Sequence, residues 1–140
     1  MARILGIDYG TKRVGIATTD PLQIIASSLE TVPTQEIFTF LKQYLQQEEV
    51  EACVVGEPTQ LDGQDSKMTP LVRQFVQDLN TNFPTLTVYM QDERYSSYEA
   101  KKVILQSGIP KKKRQDKSLV DKISAAIILQ EYMEARRNNT

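Results

Sequence analysis

The chain has 140 residues, 40% hydrophobic and 25% charged, with net charge −1 and pI near 5.5, enough for one domain with a proper core but no footprint of a generally basic nucleic-acid binder. Having no histidine excludes Ser-His-Asp and Cys-His hydrolysis and histidine-bearing zinc sites, and one cysteine, Cys53, excludes internal disulfides and cysteine clusters. No apolar run approaches the roughly 18 residues of a membrane span, and the first apolar stretch stops at Asp8 without a signal-peptide layout, so a cytoplasmic protein is expected.

Arg3 to Asp8 reads as a buried strand, Tyr9 to Arg13 as a turn with Gly10 suited to positive φ, and Val14 to Thr19 as the hairpin partner. Gln23 to Val32 reads as a third strand of an antiparallel meander. Ile37, Phe40, Leu41, Tyr44 and Leu45 form a helical stripe. Glu51 to Gly56 is a short buried strand, in which Cys53 reads as an inert core thiol, and Glu57 to Asp65 is a polar loop. Thr69-Pro70 starts a second helix, a capping hydroxyl with proline in the first helical position, and Leu71, Phe75 and Leu79, with Val72 and Val76 beside them, give its apolar face. Leu86 to Met90 is the last strand. Ser96 and Glu99 form a capping box for a helix to Gln106, Lys111 to Lys117 is a charged loop, and Ser118 begins a final helix to Arg136. This order implies an α/β fold: a five-stranded mixed sheet, three antiparallel strands then parallel ones through right-handed crossovers, with helices on both faces.

Three acids stand at element ends: Asp8, Glu93 and Asp121. In mixed α/β sheets, functional groups gather beyond the carboxyl ends of the parallel strands, where Asp8 and Glu93 fall. Each acid also has an ordinary reading. Asp8 suits a tight turn. Glu93 could pair on the surface with Arg94 or Lys101, and Asp92, on the opposite side by strand alternation, is its rival. Asp121 could close a capping box with Ser118. Small residues on the same helical side, Ser124 and Ala125, would let the helix sit close to the sheet and aim Asp121 at Asp8. Near Asp8, Gly15 within a strand hints, like Gly10, at a close backbone approach. Converging carboxylates without histidine suit Mg²⁺, a hard ion that takes oxygen ligands. Two such ions can activate water and stabilise the leaving oxygen of a phosphodiester. Gly10 would admit a ligand to the backbone, Thr11 offers a hydroxyl, and Lys12 and Arg13 suit phosphate. Lys111, Lys112, Lys113 and Arg114 form the dense basic run, a solvated loop or a grip on a nucleic-acid backbone.

Four motifs in order carry a family resemblance over nearly the whole chain. Asp8 to Ala17 looks like a D-x-G-x-K-R-x-G-x-A opening. Gly56-Glu57-Pro58 with Leu61-Asp62-Gly63 resembles a G-x-P…DG loop. Asp92-Glu93-Arg94-Tyr95-Ser96-Ser97 is similar to D-E-R-x-[ST]-[ST], and Asp121 with Ala125-Ala126-Ile127-Ile128-Leu129 resembles the ending. The chain thus resembles the YqgF family, Holliday-junction-resolvase-like proteins assigned as pre-16S ribosomal RNA nucleases. The resemblance implies a single RNase H-like nuclease domain over residues 1–140. It implies Asp8, Glu93 and Asp121 as catalytic acids binding Mg²⁺ or Mn²⁺, two ions, and an endonuclease that hydrolyses phosphodiesters of structured RNA in 5′-end maturation of pre-16S rRNA. Gly10 to Arg13, Arg94 and Lys111 to Arg114 would hold the substrate. Glu57 departs from the family, standing where an apolar residue is usual, and would change the acid count if it faced the cleft.

A DNA-junction resolvase is the nearest alternative; it would favour a symmetric homodimer, whereas an RNA nuclease could act as a monomer. A non-catalytic RNA or transcription-complex adaptor is another. The segment Asp8-Tyr9-Gly10-Thr11 also resembles the phosphate loop of actin-like ATPases, but closing two lobes over a nucleotide takes more chain than 140 residues.

Overall fold

The computed structural model describes residues 2–57, 67–92 and 117–138. The elements are β1 (Arg3–Tyr9), β2 (Arg13–Thr19), β3 (Ala26–Pro33), a 3₁₀ turn (Thr34–Glu36), α1 (Ile37–Gln47), β4 (Val50–Glu57), α2 (Thr69–Asn82), β5 (Thr87–Asp92) and α3 (Lys117–Asn138). Among the described residues, five strands form one sheet in the order β3-β2-β1-β4-β5. β1, β2 and β3 pair antiparallel, and β4 and β5 continue parallel to β1. The mixed sheet is as expected; the predicted Ser96–Gln106 helix and most of the Glu57–Asp65 loop lie outside the described residues. Among the described residues no helix is long and apolar enough to cross a membrane.

Alternation along the strands separates two cores. Leu5, Ile7, Val14, Ile16, Cys53 and Val55 face α1 and α2, which contribute Ile37, Leu41, Val72, Phe75 and Leu79. On the other face Ile4, Ala17, Ala52 and Val54 pack under Ala125, Ile128, Leu129 and Met133 of α3. β1 and β4 are buried on both faces, so they read as unbroken apolar runs. Burial pushes the Cys53 thiol up to about 12 and keeps it an inert core group.

Some local expectations are corrected. The apolar face of α2 is Val72, Phe75 and Leu79, with Val76 partly buried. Leu71 is 46% exposed, because a stripe phased on Val72 turns its neighbour outward. Thr69 does not cap α2: Met68 holds the cap position, and Thr69 is buried inside the first turn. The third strand begins at Ala26, since residues 20–25 are captured in a turn. There Asp20 accepts the amides of Ile24 and Ile25 on Oδ1, both at 2.8 Å, and of Leu22 on Oδ2 at 3.2 Å, while Gln23 adopts φ 58°.

The Ile25 amide, ahead of the opposing cost of desolvation, and then the other turn amides hold the Asp20 carboxyl below its ordinary range. A carboxyl depressed on folding contributes stability that is full above its unfolded pKa and lost as pH falls through the folded one. Asp20→Ala is therefore expected to speed hydrogen exchange at the Leu22, Ile24 and Ile25 amides at neutral pH, with a smaller difference from wild type in strong acid. Equal exchange at neutral pH would show that the turn holds without the carboxylate.

Candidate functional site

β1 and β2 are joined by a tight turn, and their register sets Asp8 directly opposite Gly15. Partners across an antiparallel pair share a face, here the face covered by α3. A Cβ at Gly15 would fall 2.0 Å from the main-chain oxygen of Asp121 and 3.1 Å from its Cβ. A Cβ at Gly6 would fall 2.8 Å from both the Ala125 oxygen and the Leu129 Cβ. The missing side chains of two strand glycines thus make the bed in which α3 lies. Its early part rests on β2 and β3, where Ser28 Oγ donates to the Lys122 carbonyl at 3.2 Å. Its later part reaches β5, where Tyr132 stacks on Tyr89 at 5.3 Å.

That seating carries Asp121 to the end of β1 that bears Asp8. The two acids line one cleft of about 320 Å³ together with residues 9–13 and Met68. The turn forming its floor is clamped from the following segment: Thr34 Oγ1 donates to the Gly10 carbonyl at 2.6 Å and Thr34 N to the Lys12 carbonyl at 3.1 Å. Tyr9 stacks on Phe75 at 4.4 Å and fixes the other side of the turn in the core. Gly10 is required for a reason other than positive φ, which it does not adopt: a Cβ there would lie 2.6 Å from the Arg13 carbonyl oxygen.

Thr11 and Lys12 are exposed on the cleft. Arg13, expected to meet substrate, donates from Nε to Asp121 Oδ2 at 2.8 Å, across 108 residues of sequence. Asp121 stands in the second turn of α3, which begins at Lys117, so it is too far inside the helix for the alternative capping role. Glu57 pairs with Arg73 of α2 at 3.6 Å, on the face shared by Cys53 and Val55, and does not line the cleft. Glu93, Arg94, Lys111, Lys112, Lys113 and Arg114 lie outside the described residues.

Thr34, Met68 and the Arg13–Asp121 pair were not legible beforehand. Thr34 reads as the lead into α1, and no spacing rule ties it to a turn 24 residues earlier. Among the described residues no three acids or thiols stand close enough to cage a metal ion. Asp8 and Asp121 nevertheless supply two carboxylates in a half-open cleft with no histidine or thiol ligand lining it, a donor chemistry that suits Mg²⁺ or Mn²⁺ retaining waters.

Three antiparallel strands continued by two parallel ones, with helices on both faces, make the RNase H-like fold, here with a cleft at the end of the central strand. At this level the chain resembles fowlpox virus resolvase, solved with Holliday junction DNA, with a TM-score of 0.63 at 12% identity over 96% of this chain and 98% of that one. Thermus thermophilus RuvC, also solved with a Holliday junction substrate, gives 0.56 at 17% identity over 98% and 96%. Residues 2–135 match the family described as RuvX, Holliday junction resolvase. A relative from Flavobacterium johnsoniae is 49% identical over 137 residues, 98% of this chain and 99% of its own. One from Bacteroides thetaiotaomicron is 47% identical over the same shares. Both are provisionally described as pre-16S rRNA nucleases. The chain belongs to this RuvX, or YqgF, family.

Proposed function

We propose that the chain is a metal-dependent endonuclease that hydrolyses phosphodiester bonds of structured RNA, with the 5′ end of pre-16S rRNA as its substrate. The observation that carries this reading is the meeting of Asp8 and Asp121, from opposite ends of the chain, in one cleft beside a turn bearing Thr11, Lys12 and Arg13. The choice of substrate is supported by full-length relatives provisionally described as pre-16S rRNA nucleases. Asp8, Asp121 and Glu93, the residue after β5, would hold Mg²⁺ or Mn²⁺. When bound, such ions activate water and neutralise the leaving oxygen. The chain's own contribution is to hold carboxylates on two rigid elements, strand β1 and helix α3, and to present the phosphate with the Thr11 hydroxyl and the Lys12 ammonium. No side-chain nucleophile and no histidine base are needed.

A DNA-junction substrate is the second reading, favoured by the family description and by the likeness in fold to two resolvases. The deciding assay offers precursor 16S rRNA and a four-way DNA junction side by side in Mg²⁺ or Mn²⁺. Metal-dependent cutting of the RNA supports the first reading, preferential cutting of the junction the second, and cutting of neither an adaptor without catalysis.

Lys111, Lys112, Lys113 and Arg114 are proposed to grip the nucleic-acid backbone. Replacing them by glutamine is expected to weaken binding and to make log K against log salt shallower, on single strands by roughly 0.7 for each phosphate no longer neutralised. An unchanged slope would return the run to a passive loop.

A further inference from the structure

We infer that Arg13 is the internal counter-cation of Asp121, so that a divalent ion enters the cleft by exchange against a guanidinium and thereby releases that guanidinium to phosphate. This deepens the proposed function and rests on reading Asp8 and Asp121 as metal ligands. Arg13 Nε lies 2.8 Å from Asp121 Oδ2, with the two side chains 34% and 23% exposed. The pair is shielded enough to persist and open enough to exchange. It is not what places Asp121: the main chain of α3 is seated against Gly15 independently of either side chain. Arg13 is held independently too, its backbone in register with Pro33.

Each partner would therefore stay in place without the other, and the role of the pairing is electrostatic. A divalent ion held by Asp121 would share the carboxylate with the guanidinium and face it charge to charge. Exchange would turn the guanidinium into a cleft that Lys12 and Thr11 also line. Its planar fork matches phosphate better than any other side chain. The exchange explains how one cleft avoids two opposite difficulties. Before metal arrives the acids are partly neutralised; after it arrives the freed arginine adds to the attraction for the substrate backbone. Linkage requires the converse, that phosphate binding tightens metal binding.

The test is Mn²⁺ affinity of the full chain by calorimetry, with no nucleic acid present. Arg13→Gln is expected to bind Mn²⁺ roughly two- to fivefold tighter than wild type, the scale of a partly exposed ion pair removed. Arg13→Lys, which keeps the charge, should stay near wild type. An unchanged or weaker affinity in Arg13→Gln would overturn the exchange and make Arg13 a positioning residue. A second measurement needs no variant: the Arg13 Nε–H resonance of wild type should lose its hydrogen-bonded shift as Mg²⁺ saturates the site. A resonance unmoved at saturation also overturns the proposal. Wild type with no Mn²⁺ binding beyond that of Asp8→Asn would sink the metal reading itself and this proposal with it, a result distinct from normal binding that ignores Arg13.

Discussion

Asp8→Asn is expected to lower metal-dependent cleavage by at least about a hundredfold while leaving the protein folded. Losing even an outer-shell partner of a metal ligand costs about 10–100-fold, and a direct carboxylate ligand sets both the charge and the geometry of the site. The fold should tolerate the change. Asparagine keeps the size and one oxygen of aspartate, and Asp8 is only partly buried, at the end of the strand face on which Ile4 packs under α3. The melting temperature should therefore stay within about 2 °C of wild type, corresponding to well under 1 kcal/mol. Single-turnover cleavage and thermal unfolding of the same preparation check both halves. Wild-type cleavage would reduce Asp8 to a turn former, and a fall of about 10 °C or more would make it a structural residue.

The cores were legible because periodicity is local. The stripe Ile37, Leu41, Tyr44 and the paired runs Arg3–Asp8 and Val14–Thr19 each carry their own signal, and the order of elements limited the sheet to few topologies. Two of the errors came from a side chain capturing the backbone and from a helix choosing its phase, each against the apparent pattern. Asp20 takes three amides and cuts the third strand short at its start, although Ile24-Ile25-Ala26 continues the strand's apolar composition. The phase of α2 turned on one residue, since Leu71 and Val72 suit the stripe equally until a sheet face chooses between them. The meeting of Asp8 and Asp121 was anticipated from the small residues near Ser124; the seating of α3 on Gly15 was not. The ion pair that occupies Asp121 was not, because nothing in the sequence relates Arg13 to a residue 108 positions away. The family resemblance could name Arg13 as part of a motif without saying what it touches.

The placement of Asp121 depends on an atom that is absent, and restoring it should do more damage than removing most side chains. In Gly15→Ala the new methyl carbon would lie 2.0 Å from the Asp121 main-chain oxygen and 2.4 Å from its carbonyl carbon, whereas carbon and oxygen approach no closer than about 3.3 Å even in C–H···O contacts. Neither obstructing atom belongs to a flexible side chain. Gly15 is held by ladders on both sides, to Asp8 and to Thr31, so the strand cannot yield and α3 must lift by roughly 1 Å. Overpacking of this kind costs about 1–3 kcal/mol, a fall of about 3–10 °C in melting temperature for a chain of this length. The same lift carries Asp121 away from Asp8, and a misplacement of about 1 Å is enough to lose about a hundredfold in rate. Gly6→Ala is the informative comparison. Its added carbon meets Ala125 and Leu129, each at 2.8 Å, one turn or more beyond Asp121. It should therefore lower stability while sparing more of the activity and of the Mn²⁺ affinity. If Gly15→Ala kept wild-type melting and Mn²⁺ binding, α3 would not be seated on β2 as described, and the pairing of the two acids would lose its structural basis.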